Sequence, residues 1–158
     1  MARIQFELPE QFLFSTDVPI YISHVNQGGH LDNALLLTLV SEARVRFFRW
    51  LGYRSEGDID GQSIVVGDMM AQYKSEAFYG ETMQVDMVPD DFNKYGFDLV
   101  FRLRDKATGR EVARGKTGVV FLSADNFGQG RKTVAPPPAS FAERLEKARA
   151  GTLPSSAA

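Results

Sequence analysis

Both histidines of the chain fall in one short run, Ser23-His24-Val25-Asn26-Gln27-Gly28-Gly29-His30-Leu31-Asp32-Asn33. An imidazole is the side chain best suited to giving and taking protons near neutral pH. His30 stands just ahead of an apolar, helix-forming stretch. The two glycines before it carry no side chain, so their backbone N–H groups can approach a ligand closely. A helix start presents unpaired N–H donors and a positive dipole end. Together, Gly28, Gly29 and His30 are suited to polarising a carbonyl group and stabilising the oxyanion formed when it is attacked. The same residues also read as an ordinary turn followed by a cap, with Asp32 or Asn33 as the capping side chain. His24 reads as structural or solvent-facing. The two histidines stand six positions apart without a convincing set of further ligands, so no metal is expected.

A second chemical candidate is Glu42, a carboxylate within the helical stretch that follows. Arg46 and Arg49 stand at spacings that allow ion pairs on the same helix face, so Glu42 reads either as a base or as half of a Glu–Arg pair. Asp32 and Glu42 would be about 15 Å apart along a continuous helix, too far to serve one carbonyl in a single subunit.

The elements that must position these groups are legible from periodicity. Leu36, Leu39, Val40, Ala43, Phe47, Trp50 and Leu51 recur at helical spacing, which predicts a helix over Asn33 to Leu51 with Gly52 as its stop. Ala34 to Val40 is apolar on nearly every side, as expected of a helix enclosed by protein. Strands are expected over Phe12 to Ile22, Gln62 to Ala77, Glu81 to Val88, Phe97 to Arg104 and Glu111 to Ser123. Met83, Val85 and Met87 alternate with polar residues, as do Phe97, Leu99, Phe101 and Leu103. Pro19 suggests an edge or a bulge. Gly67 is a weak point in the second strand, and Asp105 to Arg110 has hairpin chemistry. Pro136-Pro137-Pro138 marks a break after a domain spanning 1–135. Ser140 to Ala150 then reads as a short charged helix, capped by Ser140 with Glu143 as partner and carrying Phe141 and Leu145 on one side. Leu153 to Ala158 reads as a tail.

One long helix and about five strands in this order give an α+β fold, an antiparallel sheet curled around a helix. Such a sheet leaves an edge or face to cover, so a homodimer is expected, with a homotetramer as a further possibility. The chain has 158 residues, 44% hydrophobic and 24% charged, enough for one domain with its own core. It contains no cysteine, which excludes thiol nucleophiles, thiolate metal sites and disulfides. A net charge of −2 argues against nucleic acid as a partner. No apolar stretch approaches the ~20 residues that span a bilayer, and no signal peptide is visible, so no membrane role and a cytoplasmic location are expected.

The residues also resemble a family. Gly29-His30-Leu31-Asp32-Asn33-Ala34, with Leu37 and Ser41-Glu42-Ala43-Arg44 beyond it, is similar to the G-H-V-N-N-A-x-Y-L…E-x-A-R signature of hot-dog-fold thioesterases, in the 4-hydroxybenzoyl-CoA and acyl-CoA thioesterase branch. Tyr73-Lys74-Ser75-Glu76-Ala77-Phe78-Tyr79-Gly80-Glu81 resembles the family's Y-x-x-P-A-x-x-G-D turn. Ala113 to Phe121 resembles its last core strand. The resemblance runs from about Phe12 to Ser123 and implies a sheet wrapped round a central helix, with the active site at a dimer interface. It implies hydrolysis of a small acyl thioester, coenzyme A being part of the substrate rather than a cofactor. The family's usual carboxylate stands four residues before the histidine, and here that position is Asn26. An amide orients water or substrate but is no carboxylate base. The expected site therefore comprises Asn26, His30 and Glu42 for catalysis, with Gly28, Gly29, Asn33, Phe78 and Tyr79 for substrate. Phe47 reads as core rather than pocket. Arg102, Lys116, Arg131 and Lys132 are candidate partners for coenzyme A phosphates. The alternative is a binding dimer of the same fold that has lost its base. A hydratase of this fold would pair its histidine and carboxylate at a spacing not found here.

Overall fold

The computed structural model describes residues 3–124, 130 and 132–154. Its elements run β1 (Phe14–Pro19), a short 3-10 turn (Ile22–His24), α1 (Leu36–Trp50), β2 (Ser63–Tyr73), β3 (Thr82–Asn93), β4 (Gly96–Asp105), β5 (Glu111–Leu122) and α2 (Ala139–Arg149). The strands form one antiparallel sheet in the order β1-β3-β4-β5-β2. No described helix is long and apolar enough to cross a membrane.

Alternation in the strands translates directly into the core. Met83, Val85 and Met87 of β3 and Phe97, Leu99, Phe101 and Leu103 of β4 are buried. They belong to one apolar cluster with Leu36, Leu39, Val40, Ala43, Phe47 and Phe48 of α1. Phe47 is fully buried and packs edge-on against Phe14 and Phe48, so it is a core residue. Burying each such ring contributes about 1.5–3 kcal/mol. The sheet does not enclose α1 completely, because five strands cover only part of its circumference. Thr38, Glu42 and Arg49 of α1 remain exposed, as does Ala34 in the turn just ahead of it.

Several boundaries differ from the periodicity reading. α1 begins at Leu36 rather than Asn33 because the Asp32 carboxylate accepts hydrogen bonds from the N–H groups of Ala34 and Leu35, at 2.9 and 3.1 Å, and holds a turn ahead of the helix. β1 ends at Pro19, which has no N–H for the ladder, and lies at a sheet edge as expected. β3 runs on to Asn93, since Pro89 is paired opposite Leu99. β2 carries a register shift at Gly67, between Val66 and Asp68, and stops at Tyr73, short of Ala77. Ser140 does not cap α2: Pro138 occupies that place, and the Ser140 hydroxyl bonds Tyr53 and Asp60. Phe141 and Leu145 are buried, and Phe141 packs on Phe48, Phe97 and Phe121, so α2 closes one end of the core. Gly52, at φ +99°, ends α1 in the left-handed conformation that favours glycine, and Arg144 of α2 bonds the neighbouring Leu51 carbonyl.

Candidate functional site

Where β2 stops, the chain crosses to the segment before α1. The N–H groups of Lys74 and Ser75 both reach the Val112 carbonyl, and the Ser75 hydroxyl bonds the Glu111 carbonyl. The Leu31 N–H then donates to the Ala77 carbonyl at 2.8 Å, and His30 forms an isolated antiparallel bridge with Phe78. These bonds dock the 75–79 loop against the glycine–histidine loop. Between them opens a cleft of about 390 Å³ lined by Asn26, His30, Asn33, Tyr73, Lys74 and Glu76, with Leu31, Leu36 and Val112 as its apolar floor.

Within the glycine–histidine loop Asn26 is the organiser. Its side-chain oxygen accepts from the N–H groups of Gly28, at 2.9 Å, and His30, at 3.3 Å. Its backbone N–H reaches the His30 carbonyl and its carbonyl accepts from Gly29. Gly29 has φ +83°, which favours glycine. Gly28 lies over the imidazole: a Cβ there would sit 3.5 Å from His30 Nδ1. This corrects one expectation. The Gly28 and Gly29 N–H groups already have acceptors within the loop, both supplied by Asn26, and are not free for a carbonyl. Asp32 occupies those of Ala34 and Leu35 in the same way. Across the described segment 28–36, the Asn33 N–H is the one backbone donor left without a hydrogen bond.

His30 faces a carboxylate that the sequence reading did not single out. Glu76 Oε2 lies 3.3 Å from His30 Nε2, with the His30 side chain 36% and the Glu76 side chain 64% exposed. Phe78 packs edge-on against the imidazole at 5.4 Å between ring centres. Tyr73 donates its hydroxyl hydrogen to the Asn33 carbonyl at 2.7 Å. Burial first, and the nearby Asp32 carboxylate second, raise the Tyr73 hydroxyl above its ordinary range, so it remains a donor at neutral pH. The loop carrying Glu76 is braced by Arg110, whose guanidinium bonds the Glu76 carbonyl at 3.2 Å and both oxygens of Glu81. Glu81 in turn accepts from the Phe78 N–H at 2.7 Å.

The remaining expected residues lie elsewhere. Glu42 pairs with Arg46 at 3.1 Å, which the i, i+4 spacing allows, and borders a separate depression with Tyr21, His24 and Thr38. Within one protomer it does not join His30. His24 is structural: its Nδ1 accepts from the Tyr21 N–H at 3.0 Å and its ring stacks on Tyr21. Tyr79 is 61% exposed and does not line the cleft. Arg102 is paired with Asp86, Lys116 with Asp68 and Asp98, and Lys132 bonds Ser63; none of the three lines the cleft. Arg131 lies outside the described residues. The cation at the cleft is Lys74. Among the described residues no group of three or more His, Asp or Glu side chains is placed to hold a metal ion.

Comparison with known structures gives the same fold many times over. A 1,4-dihydroxy-2-naphthoyl-CoA thioesterase from Synechocystis superposes with a TM-score of 0.70 at 14% identity, covering 85% of this chain and 93% of its own. A Thermus thermophilus thioesterase complexed with coenzyme A and zinc does so with a TM-score of 0.71 at 20% identity, covering 90% and 98%. An Asp→Asn mutant of 4-hydroxybenzoyl-CoA thioesterase, complexed with 4-hydroxybenzoyl-CoA, reaches 0.72 at 15% identity, covering 83% and 96%. At these identities the likeness establishes the hot-dog fold. No curated protein matches the sequence. The thioesterase-like superfamily model matches residues 21–145, which spans the glycine–histidine loop, α1, the 75–79 loop and all strands but β1, and on that match the chain belongs to the thioesterase-like superfamily.

Proposed function

We propose that the protein hydrolyses a small acyl-CoA thioester in the His30 cleft. The observation that carries this reading is the convergence, in a chain of this family, of an imidazole and a carboxylate 3.3 Å apart (His30 and Glu76) with a backbone N–H without a hydrogen bond (Asn33) at the approach to α1. In the reaction, water adds to the thioester carbonyl carbon, the C–S bond breaks, and a carboxylic acid and a thiol leave. Negative charge develops on the carbonyl oxygen, and the Asn33 N–H is the donor available to it, next to the positive end of α1. Asn26 serves through the loop it ties together rather than as an acid or base. Phe78, packed on the imidazole outside the cleft lining, is the proposed apolar contact for the acyl group, and the Lys74 ammonium at the cleft supplies a charge for the phosphate-bearing carrier.

The 11-residue strand β2 lies at a sheet edge, flanked by no second strand among the described residues. Pairing through that edge would give the homodimer we propose for the working protein, and a pair of such dimers would give a tetramer. The proposed setting is the cytoplasm. The test is thiol release by purified protein from short, medium, long and aromatic acyl-CoAs. Turnover of at least one class above the buffer rate supports the reading. A melting temperature raised by acyl-CoA without any turnover would replace it with a binding protein that has lost catalysis.

A further inference from the structure

We propose that Glu76 is the general base of this site, taking the place of the carboxylate that Asn26 does not provide. The inference deepens the hydrolase reading and rests on it.

Position 26 cannot hold the base. Its side chain is an amide, and the amide oxygen is engaged by two backbone N–H groups of its own loop. Glu42 is held by Arg46 at a different depression. Asp32 also borders the helix start, but its carboxylate caps Ala34 and Leu35. Of the carboxylates near the cleft, Glu76 alone both lines it and meets the imidazole. One of its oxygens faces His30 Nε2, and the other, Oε1, has no partner among the described residues. In the Y-x-x-P-A-x-x-G-D turn that this segment resembles, Glu76 occupies the proline's place, so the departure at Asn26 is accompanied by a new carboxylate across the same cleft.

The local structure gives this side chain a fixed base. Its carbonyl is held by Arg110 and the following residue's carbonyl by Leu31, so the backbone at Glu76 is anchored to β5's hairpin on one side and to the histidine loop on the other. His30 Nε2 lies 3.3 Å from one carboxylate oxygen and borders the other side of the cleft, which makes His30 a positioning residue in the resting site. An acyl group entering the cleft displaces water from the carboxylate, and a less solvated carboxylate is a stronger base.

The step then balances without a co-reactant. Glu76 Oε1 takes a proton from a water molecule as its oxygen bonds to the thioester carbon. The tetrahedral oxyanion collapses, the carbon–sulfur bond breaks, and the proton held by Glu76 passes to the departing thiolate.

The test is steady-state kinetics of the wild-type protein, Glu76→Gln and Glu76→Asp on the acyl-CoA that the wild type turns over fastest. Glutamine keeps the size and the contact with His30, but it takes no proton. For Glu76→Gln, kcat should fall by about a hundredfold to a thousandfold, with KM within about threefold of wild type. The acid limb of its kcat–pH profile should be lost. Glu76→Asp should recover part of the rate. Unchanged melting temperatures would show that the fold persists. A Glu76→Gln kcat within about threefold of wild type, or an effect confined to KM, would overturn the assignment while leaving hydrolysis standing. No turnover by the wild type on any acyl-CoA would overturn the hydrolase reading and the assignment with it.

Discussion

Replacing Asn26 by alanine and, separately, by aspartate gives opposite outcomes if its oxygen is a loop-holding acceptor. Alanine deletes the bonds to the Gly28 and His30 N–H groups, at 2.9 and 3.3 Å. Both donors lie where water can reach them, so each bond contributes at the low end, about 0.5 kcal/mol. The sum is about 1 kcal/mol, which for a domain of this size lowers Tm by about 2–4 °C. The effect on activity is larger, because the loop that places His30 loses its internal tie. A misplacement of about 1 Å costs about a hundredfold in rate, and a partly disordered loop falls between tenfold and that limit, so kcat/KM should drop by about tenfold to a hundredfold. Aspartate keeps an oxygen where the amide oxygen was, and an anionic acceptor binds N–H groups roughly twice as strongly. Asn26→Asp should therefore melt no lower than wild type. Its kcat should stay within about threefold of wild type, because the base is already supplied from across the cleft. The assays are thermal unfolding by circular dichroism and thiol release. An alanine variant indistinguishable from wild type in both would refute the loop-holding role. A tenfold gain in kcat for Asn26→Asp would show that position 26 is where the missing base belongs.

Glu42→Ala should change stability by no more than about 0.5 kcal/mol, since its pair with Arg46 is exposed, and thiol release by less than about threefold; a large loss of kcat would return Glu42 to the catalytic site. Gly115→Ala should cost about 3 kcal/mol and lower Tm by at least about 6 °C, because its Cβ would fall 1.9 Å from the Met70 carbonyl oxygen and 2.9 Å from the Phe101 ring. A Tm unchanged by that substitution would contradict the register between β2 and β5. The Arg114 hydrogen bond holds the Glu111 carboxyl below its ordinary value of 4.5. Its stabilisation is therefore complete above about that pH and is lost as pH falls through the lowered value. Glu111→Gln should melt lower than wild type at pH 7, with the two curves converging as pH falls through the lowered Glu111 value; curves that stay parallel throughout would show that the ion pair contributes nothing.

Much of the fold was legible because it depends on periodicity. The α1 face carrying Leu39, Ala43 and Phe47, and the alternation in β3 and β4, each need only a local pattern and one partner surface. The glycine–histidine loop was legible as a candidate site, and the cleft it borders carries His30 and Asn26 of the expected set. What stayed hidden depends on hydrogen bonds among loop atoms and on contacts across the sheet. Nothing in the run Asn26 to His30 says that Asn26 consumes the donors that Gly28 and Gly29 appear to offer. Glu76 meets His30 only because β2 breaks off at Tyr73 and the chain crosses to Leu31, and a strand reading that carried β2 to Ala77 placed Glu76 within the sheet. The signal that could have found it was the glutamate standing where the resembling pattern has proline. Asp32 or Asn33 was read as the helix cap, but the Asp32 side chain instead builds a turn ahead of α1 and delays the helix by three residues, which propensity alone does not register.

The central claim is that an acyl thioester binds against His30, and the chain carries its own control for it. There are two histidines, and His24 is locked to Tyr21 at a different depression. The most direct measurement is the NMR of both imidazole rings during titration with a non-hydrolysable acyl-CoA thioether. The account predicts that the His30 ring signals shift and saturate while those of His24 stay in place. Saturable shifts at His24 with His30 unmoved, or no shift at either ring, would contradict it.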